Sequence, residues 1–408
     1  MSTRVLLQVA RRLAVVGLCA LTGACYYLPP EVVPASPGAV PENIEGLTDL
    51  PLATATGQIR ILFIHGMGEH DACDPDTLLV HLTKALHVTQ DPPPTAIDVS
   101  TQCAEPFHFT LPQPTPVSGG SAEDKALLYR YSISNASRKV SFAFLLWSPL
   151  TAKPKETLNE PGLPHHAILT DWVKKDLEQD AFADIVLYGG EYRQVLRPAV
   201  ERALCLFVDG VPDPKDPRLC DGGVGDVPTA IVTHSLGGYM LMDAMSDIYR
   251  PQAARGVRVA RNAAEKVGRY LNQIFMLANQ LKMLDLTTRA SEEQRPEVVN
   301  RFRASWKAAH ERRSGPEGAY RPRQLIAISD PNDIFSWEVT DKEFERPEFT
   351  VANVYLGVTG EFFGFYRVPV VGVAASPWAA HSNYFKNDDV MDIIACGMTG
   401  STINRCAQ

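Results

Sequence analysis

The run Ala230-Ile231-Val232-Thr233-His234-Ser235-Leu236-Gly237-Gly238 constrains the fold more than any other stretch of the chain. A short apolar strand ends in a serine, and two glycines follow at once. A helix-like segment, Tyr239-Met240-Leu241-Met242-Asp243-Ala244-Met245, then begins with no linker. A strand that turns into a helix at a serine has the form of a nucleophile elbow. The serine must sit on a tight, strained turn with its hydroxyl outward, so its neighbours must be small. The turn also brings the next N–H to a helix N-terminus, where negative charge is stabilised. The common pattern is G-x-S-x-G, and Thr233 stands in place of its first glycine. The plainer alternative is a strand–loop–helix turn in which the serine merely caps the helix.

Three features on either side favour the chemical reading. Upstream, Gln58-Ile59-Arg60-Ile61-Leu62-Phe63-Ile64 is a β-rich run that ends in His65-Gly66-Met67-Gly68. Glycines after a strand let the backbone approach a ligand oxygen and leave an N–H free to donate. His65 and His70, with Glu69 between them, raise the question of a metal site. Their spacing is not the H-E-x-x-H that puts two imidazoles on one helix face, so no metal is expected. Downstream, the strand Gln324-Leu325-Ile326-Ala327-Ile328-Ser329 is followed by Asp330-Pro331-Asn332-Asp333-Ile334-Phe335. An acid just past a strand's end can hold a histidine in one tautomer. Asp333 is favoured because two apolar residues anchor its loop. Asp330, before a proline, has the form of a turn initiator and is the alternative. Near the C-terminus, His381 follows the strand-like run from Val351 to Gly357 and precedes the amphipathic stretch from Asp388 to Ile394. A loop histidine between the last strand and the last helix is placed to act as a general base.

In the order Ser235, Asp333, His381 the chain resembles the α/β-hydrolase superfamily, from about Gln58 to its C-terminus. The Asn332-Asp333-Ile334 segment looks like the acid loop of fungal-type triacylglycerol lipases. The segment His381-Ser382-Asn383-Tyr384 looks like the histidine loop of many bacterial hydrolases. The resemblance implies an α/β fold with a mostly parallel central sheet, helices on both faces, and cap or loop insertions. It implies a Ser-His-Asp triad, no cofactor, and acyl transfer to water. His-Gly-x-Gly is where such enzymes build half of an oxyanion hole, so the expected donors are the backbone N–H groups of Met67 and Leu236. The substrate class implied is a small-molecule acyl ester or lipid. The same site could serve an acyltransferase, and the same fold a non-catalytic envelope lipoprotein, because fold does not fix function.

The remainder of the chain sets the context. Repeated strand–helix alternation over residues 58–408 favours one α/β domain, with possible caps at 151–180 and 285–320. The segment Ile185 to Val208 reads as one helix, with a possible kink at Arg197-Pro198. Net charge is −8 and no basic cluster is present, so a nucleic-acid partner is not expected. Residues 1–24 read as a signal peptide: Arg11-Arg12, a short apolar stretch from Leu13 to Leu21, then small residues. The small residues before Cys25 resemble a bacterial lipobox. Cys25 would then be lipidated and hold the protein to a membrane, with Tyr26 after it leaning toward the outer membrane. Ordinary secretion without a lipid is the alternative. Residues 25–57 are proline-rich and read as an extended tether. Apart from Cys19 and Cys25, six cysteines remain, an even set that suggests disulfides in an exported chain. Proximity in sequence suggests Cys73–Cys103, Cys205–Cys220 and Cys396–Cys406. Gly222-Gly223-Val224-Gly225 lacks the Lys-Ser/Thr ending of a phosphate-binding loop and reads as a flexible connector.

Overall fold

The computed structural model describes residues 30–34, 43–52, 57–97, 103, 107–118, 125–159, 182–223, 227–246, 263–285, 298–311, 323–340, 344, 349–358 and 377–406. Seven long strands form the body of its main sheet. They are β1 (Gln58–Ile64), β2 (Leu127–Ser134), β3 (Lys139–Leu146), β4 (Thr229–His234), β5 (Leu271–Leu277), β6 (Arg323–Ser329) and β7 (Phe349–Tyr355). Their order across the sheet is β7-β6-β5-β4-β1-β3-β2. All pair in parallel except β2, which runs antiparallel to β3. β4 lies between β1 and β5, with Thr233 opposite Ile64 on one side and Met276 on the other. The ends of β1 and β4, which carry His65 and Ser235, are therefore neighbours.

Alternation of side chains along each strand feeds two separate cores. On one face, Leu62, Ile64, Ile231 and Met276 pack with Val200, Leu204, Leu241 and Phe302. These come from helices Arg193–Phe207, Leu236–Ser246 and Val298–Glu311. On the other face, Ile61, Phe63, Val232 and Phe275 pack with Leu79, Leu82, Ile393 and Ile394, from helices Asp76–Leu86 and Asp388–Cys396. The architecture is mixed α/β with a large, mostly parallel central sheet and helices on both faces. Burial of each such side chain contributes roughly 1.5–3 kcal/mol. Asp243, in the helix after Ser235, is buried and accepts from Tyr188 Oη at 2.8 Å and Arg193 Nε at 2.7 Å. This ties that helix to the one before β4.

Several elements differ from the sequence reading. The described parts of the expected tether, 30–34, 43–52 and residue 57, are built into the domain. Glu31–Pro34 pairs antiparallel with β7, and Asn43–Ile44 pairs with Met398–Thr399. Ile44, Leu47 and Leu50 are buried, and their three-residue spacing is the signal that the prolines obscured. Leu47 N and Thr48 N donate to Ile394 O and Ala395 O at 2.8 and 2.9 Å. The expected helix over 185–208 is two helices, Ala183–Gly189 and Arg193–Phe207. The break falls at Gly190, and Pro198 lies inside the second helix without ending it. β2 was not anticipated as a strand.

Of the insertion expected at 151–180, residues 160–181 lie outside the described residues; Pro149–Glu156 is helical. Of that at 285–320, helix Val298–Glu311 packs along the elbow helix, where Ser305 Oγ donates to Ser246 O at 3.0 Å. Residues 1–24 and Cys25 lie outside the described residues, and among the described residues no helix is long and apolar enough to cross a membrane. The three suggested disulfides are present: Cys73–Cys103, Cys205–Cys220 and Cys396–Cys406. Disulfides on this scale are compatible with an exported protein.

Candidate active site

Ser235 sits at the end of β4 with φ of 52°, in the left-handed region that side chains other than glycine rarely adopt. Its N–H donates to Leu277 O at 2.8 Å, and its carbonyl accepts from Gly238 N at 3.2 Å. The helix Leu236–Ser246 starts at the next residue. The turn closes because its neighbours lack side chains. A Cβ on Gly237 would lie 2.4 Å from His65 O, and one on Gly66 would lie 2.8 Å from Ser235 Cβ. Thr233 is accommodated in the position where glycine is common. Its Oγ1 donates to Phe275 O at 3.3 Å, and the absent side chain of Gly238 leaves it room.

Ser235, His381 and Asp333 are brought together from three separate segments. His381 Nε2 lies 2.8 Å from Ser235 Oγ. His381 Nδ1 lies 3.0 Å from each oxygen of Asp333. All three residues are buried, with 1–5 % of their surface exposed, so water competes weakly for these bonds. His381 stands on the short helix Pro377–Ser382 rather than on an open loop. Asp333 also accepts from Phe335 N at 2.9 Å and from Tyr384 Oη at 3.1 Å. The carboxylate is thereby fixed in place by bonds from both flanks.

Asp330 lies in the same loop but does another job. Its Oδ1 accepts from Asn332 N at 2.8 Å, and its Oδ2 accepts from Val358 N at 2.8 Å. Its own N–H donates to Tyr384 Oη at 2.7 Å. Burial pushes the Asp330 carboxyl up, against the pull of those N–H donors. Tyr384 Oη thus bridges the two acids, accepting from Asp330 N–H and donating to Asp333. The Tyr384 hydroxyl is held well above its ordinary pKa, first by burial and then by the Asp333 charge.

The loop after β1 is placed against Ser235. Neither the Met67 N–H nor the Leu236 N–H has an acceptor among the described residues. Gly68 has φ of 94° and its N–H donates to Asp184 Oδ2 at 2.8 Å. That oxygen also accepts from Lys155 Nζ at 2.8 Å, and both groups of this ion pair are buried. Burial raises the Asp184 pKa, opposed by Lys155 and the Gly68 N–H. Lys155 lies within the insertion expected at 151–180 and Asp184 just past its end, and the pair was not found in the sequence. Its members are 29 residues apart and share no motif.

Other histidines crowd the site. His234 Nε2 donates to His381 O at 2.8 Å and so braces the backbone that carries the imidazole next to Ser235. Burial, followed by the neighbouring His381 and His70, depresses the His234 pKa well below the usual range. His70 contacts Asp74 through Nδ1 and Met67 O through Nε2 at 3.3 Å. Burial acts to lower the His70 pKa, but Asp74 outweighs it and the net shift is upward. Among the described residues, no group of three or more His, Cys, Asp or Glu could hold a metal ion.

The arrangement supplies a hydroxyl, a base in hydrogen-bond reach of it and an acid on the far side of that base, with two N–H groups, of Met67 and Leu236, that have no acceptor among the described residues. Those are the parts needed for attack on a carbonyl carbon. Comparison of the chain with protein-family models, with curated proteins and with solved structures returned no match.

Proposed function

We propose that this chain is a serine hydrolase of α/β-hydrolase fold that cleaves carboxylic esters through an acyl-enzyme. The hydrogen-bonded line Ser235–His381–Asp333 on a strained strand-to-helix turn carries this reading. His381 Nε2 takes the proton of Ser235 Oγ as the oxygen attacks the acyl carbonyl carbon. The carbonyl oxygen becomes an oxyanion, held by the Met67 and Leu236 N–H groups. Asp333 keeps the proton on His381 Nδ1 and stabilises the imidazolium. The imidazolium then protonates the departing alcohol. Water, deprotonated by the same histidine, attacks the acyl-enzyme, and the imidazolium returns that proton to Ser235 Oγ as the acyl bond breaks and the acid leaves. Export, with Cys25 as a lipid-carrying membrane anchor, belongs to the same proposal and rests on residues 1–25.

The test is fluorophosphonate labelling of the folded, oxidised protein, with the modified peptide mapped by mass spectrometry. Attachment at Ser235, lost in His381→Ala, is the expected result. A folded protein that takes up no label at Ser235 would overturn the reading. A steric variant gives an independent check. In Gly66→Ala the new methyl would lie 2.5 Å from His234 Nδ1 and 2.8 Å from Ser235 Cβ. That crowding costs about 1–3 kcal/mol of stability and displaces the serine. A folded Gly66→Ala protein should label at Ser235 far more slowly than wild type; equal rates would mean that the loop and the serine do not act together.

A further inference from the structure

The loop His65–Gly68 is held by hydrogen bonds on three successive carbonyls. His65 O accepts from Trp147 Nε1 at 3.0 Å. Gly66 O accepts from His65 Nδ1 at 2.8 Å. Met67 O accepts from His70 Nε2 at 3.3 Å. The middle bond sets the peptide that carries the Met67 N–H. A trans peptide is planar, with its C=O and N–H pointing to opposite sides. Fixing Gly66 O against the His65 ring therefore turns the Met67 N–H to the other side.

The tautomer that makes this bond is itself enforced. His65 Nε2 accepts from Trp147 N at 2.9 Å and from Ser148 N at 3.3 Å. A ring nitrogen that accepts N–H bonds carries no proton, so the proton of the neutral ring is on Nδ1. The ring is fully buried and stacks on Trp147, with centroids 4.7 Å apart and planes 8° from parallel. Burial and the adjacent His70 push the His65 pKa well below the usual range, so the ring stays neutral. The carbonyl oxygens of His65, Gly66 and Met67 are occupied, and the Met67 N–H has no acceptor among the described residues.

We infer that His65 is a positioning residue for the reaction. Its Nδ1–H holds Gly66 O, and through the Gly66–Met67 peptide plane it keeps the Met67 N–H available to a developing oxyanion. The role rests on the serine-hydrolase reading above. It assigns the His of His65-Gly66-Met67-Gly68 a task beyond ending a strand. Without the Nδ1 donor the Gly66–Met67 peptide is free to flip, which would present a carbonyl where the donor is needed.

The test uses steady-state hydrolysis of a short p-nitrophenyl ester by the full chain, with inhibition by an arylboronic acid as a tetrahedral mimic. His65→Leu keeps bulk but cannot donate. Its kcat should fall about 10²–10³-fold, the usual effect of losing one oxyanion donor. KM should stay within about threefold, because the bond matters in the transition state and not in substrate binding. Boronic acid affinity should drop with kcat. His65→Asn, whose amide can donate from a position close to Nδ1, should recover about tenfold or more of the lost kcat. A folded His65→Leu protein that keeps kcat, or loses activity only through KM, would overturn the inference. So would His65→Asn matching His65→Leu. If His65→Leu does not fold, the isosteric pair His65→Asn and His65→Asp decides. Only Asn can donate, so equal kcat in that pair would overturn the role. Should wild type neither hydrolyse esters nor label at Ser235, the serine-hydrolase reading falls first. If wild type is active and the variants behave as wild type, only the role of His65 falls.

Discussion

Ser235→Ala should remove ester hydrolysis almost entirely, and Ser235→Gly should do the same while giving a more stable protein than Ser235→Ala. The activity loss should be on the order of 10⁵–10⁶-fold in kcat, and the double variant Ser235→Ala/His381→Ala should lose little more, since the two groups act as one unit. The stability order follows from the backbone. Both single variants lose the 2.8 Å bond between Ser235 Oγ and His381 Nε2. They differ only at the φ of 52°. A residue with a Cβ is strained there at a cost of about 1–3 kcal/mol, and glycine is not. At most positions glycine is the less stable of the two because its unfolded chain has more freedom. At Ser235 the order should invert, with Ser235→Gly melting above Ser235→Ala in urea or heat. Equal kcat in wild type and Ser235→Ala would refute the triad. The usual stability order would refute the strained turn.

The residues with constrained chemistry were legible in the sequence, and the residues with constrained contacts were not. Ser235 and Asp333 each lie just past a strand among turn-forming residues, and His381 lies between the last long strand and the helix Asp388–Cys396, so residue type and order along the chain together select them. Gly66, Gly237 and Gly238 were legible as small, although what they avoid, such as His65 O and Ser235 Cβ, was not. The cysteine pairs could be read because each closes a short loop, of 30, 15 and 10 residues. By contrast, the strand at Glu31–Pro34 is defined by Tyr355 and its neighbours, and the 43–52 segment by residues 394–399. Proline content described those segments as chains in isolation and was silent on the partner that buries them. β2 differs from these, because its signal is local: Tyr129, Tyr131 and Ile133 are buried and alternate with Arg130, Ser132 and Ser134, the period-2 pattern of a strand. The roles of His65 and Asp184 emerge only when β1, β3 and the helix after 181 meet. A histidine beside a glycine reads as a turn until its ring nitrogens have partners.

The two acids of the 330–333 loop should separate into one that serves catalysis and one that serves stability. In Asp333→Asn the amide can donate to His381 Nδ1, which favours the tautomer with its proton on Nε2, facing Ser235. The base is then occupied, and kcat should fall about 10⁴-fold with the fold retained. Asp330 does not reach His381. Its oxygens take the N–H groups of Asn332 and Val358, so it joins the acid loop to the segment after β7. Asp330→Ala leaves those buried donors without acceptors, at about 1–3 kcal/mol each. It should lower the unfolding midpoint clearly, while folded protein keeps kcat within about tenfold of wild type. Tyr384 gives the experiment its internal control, because its hydroxyl touches both acids, accepting from Asp330 N–H at 2.7 Å and donating to Asp333 at 3.1 Å. Tyr384→Phe should show both effects in reduced form, a modest loss of stability together with a modest loss of kcat. Activity falling further in Asp330→Ala than in Asp333→Asn would reverse the assignment. The acid would then have to be sought in a state of the loop in which Asp333 has left His381.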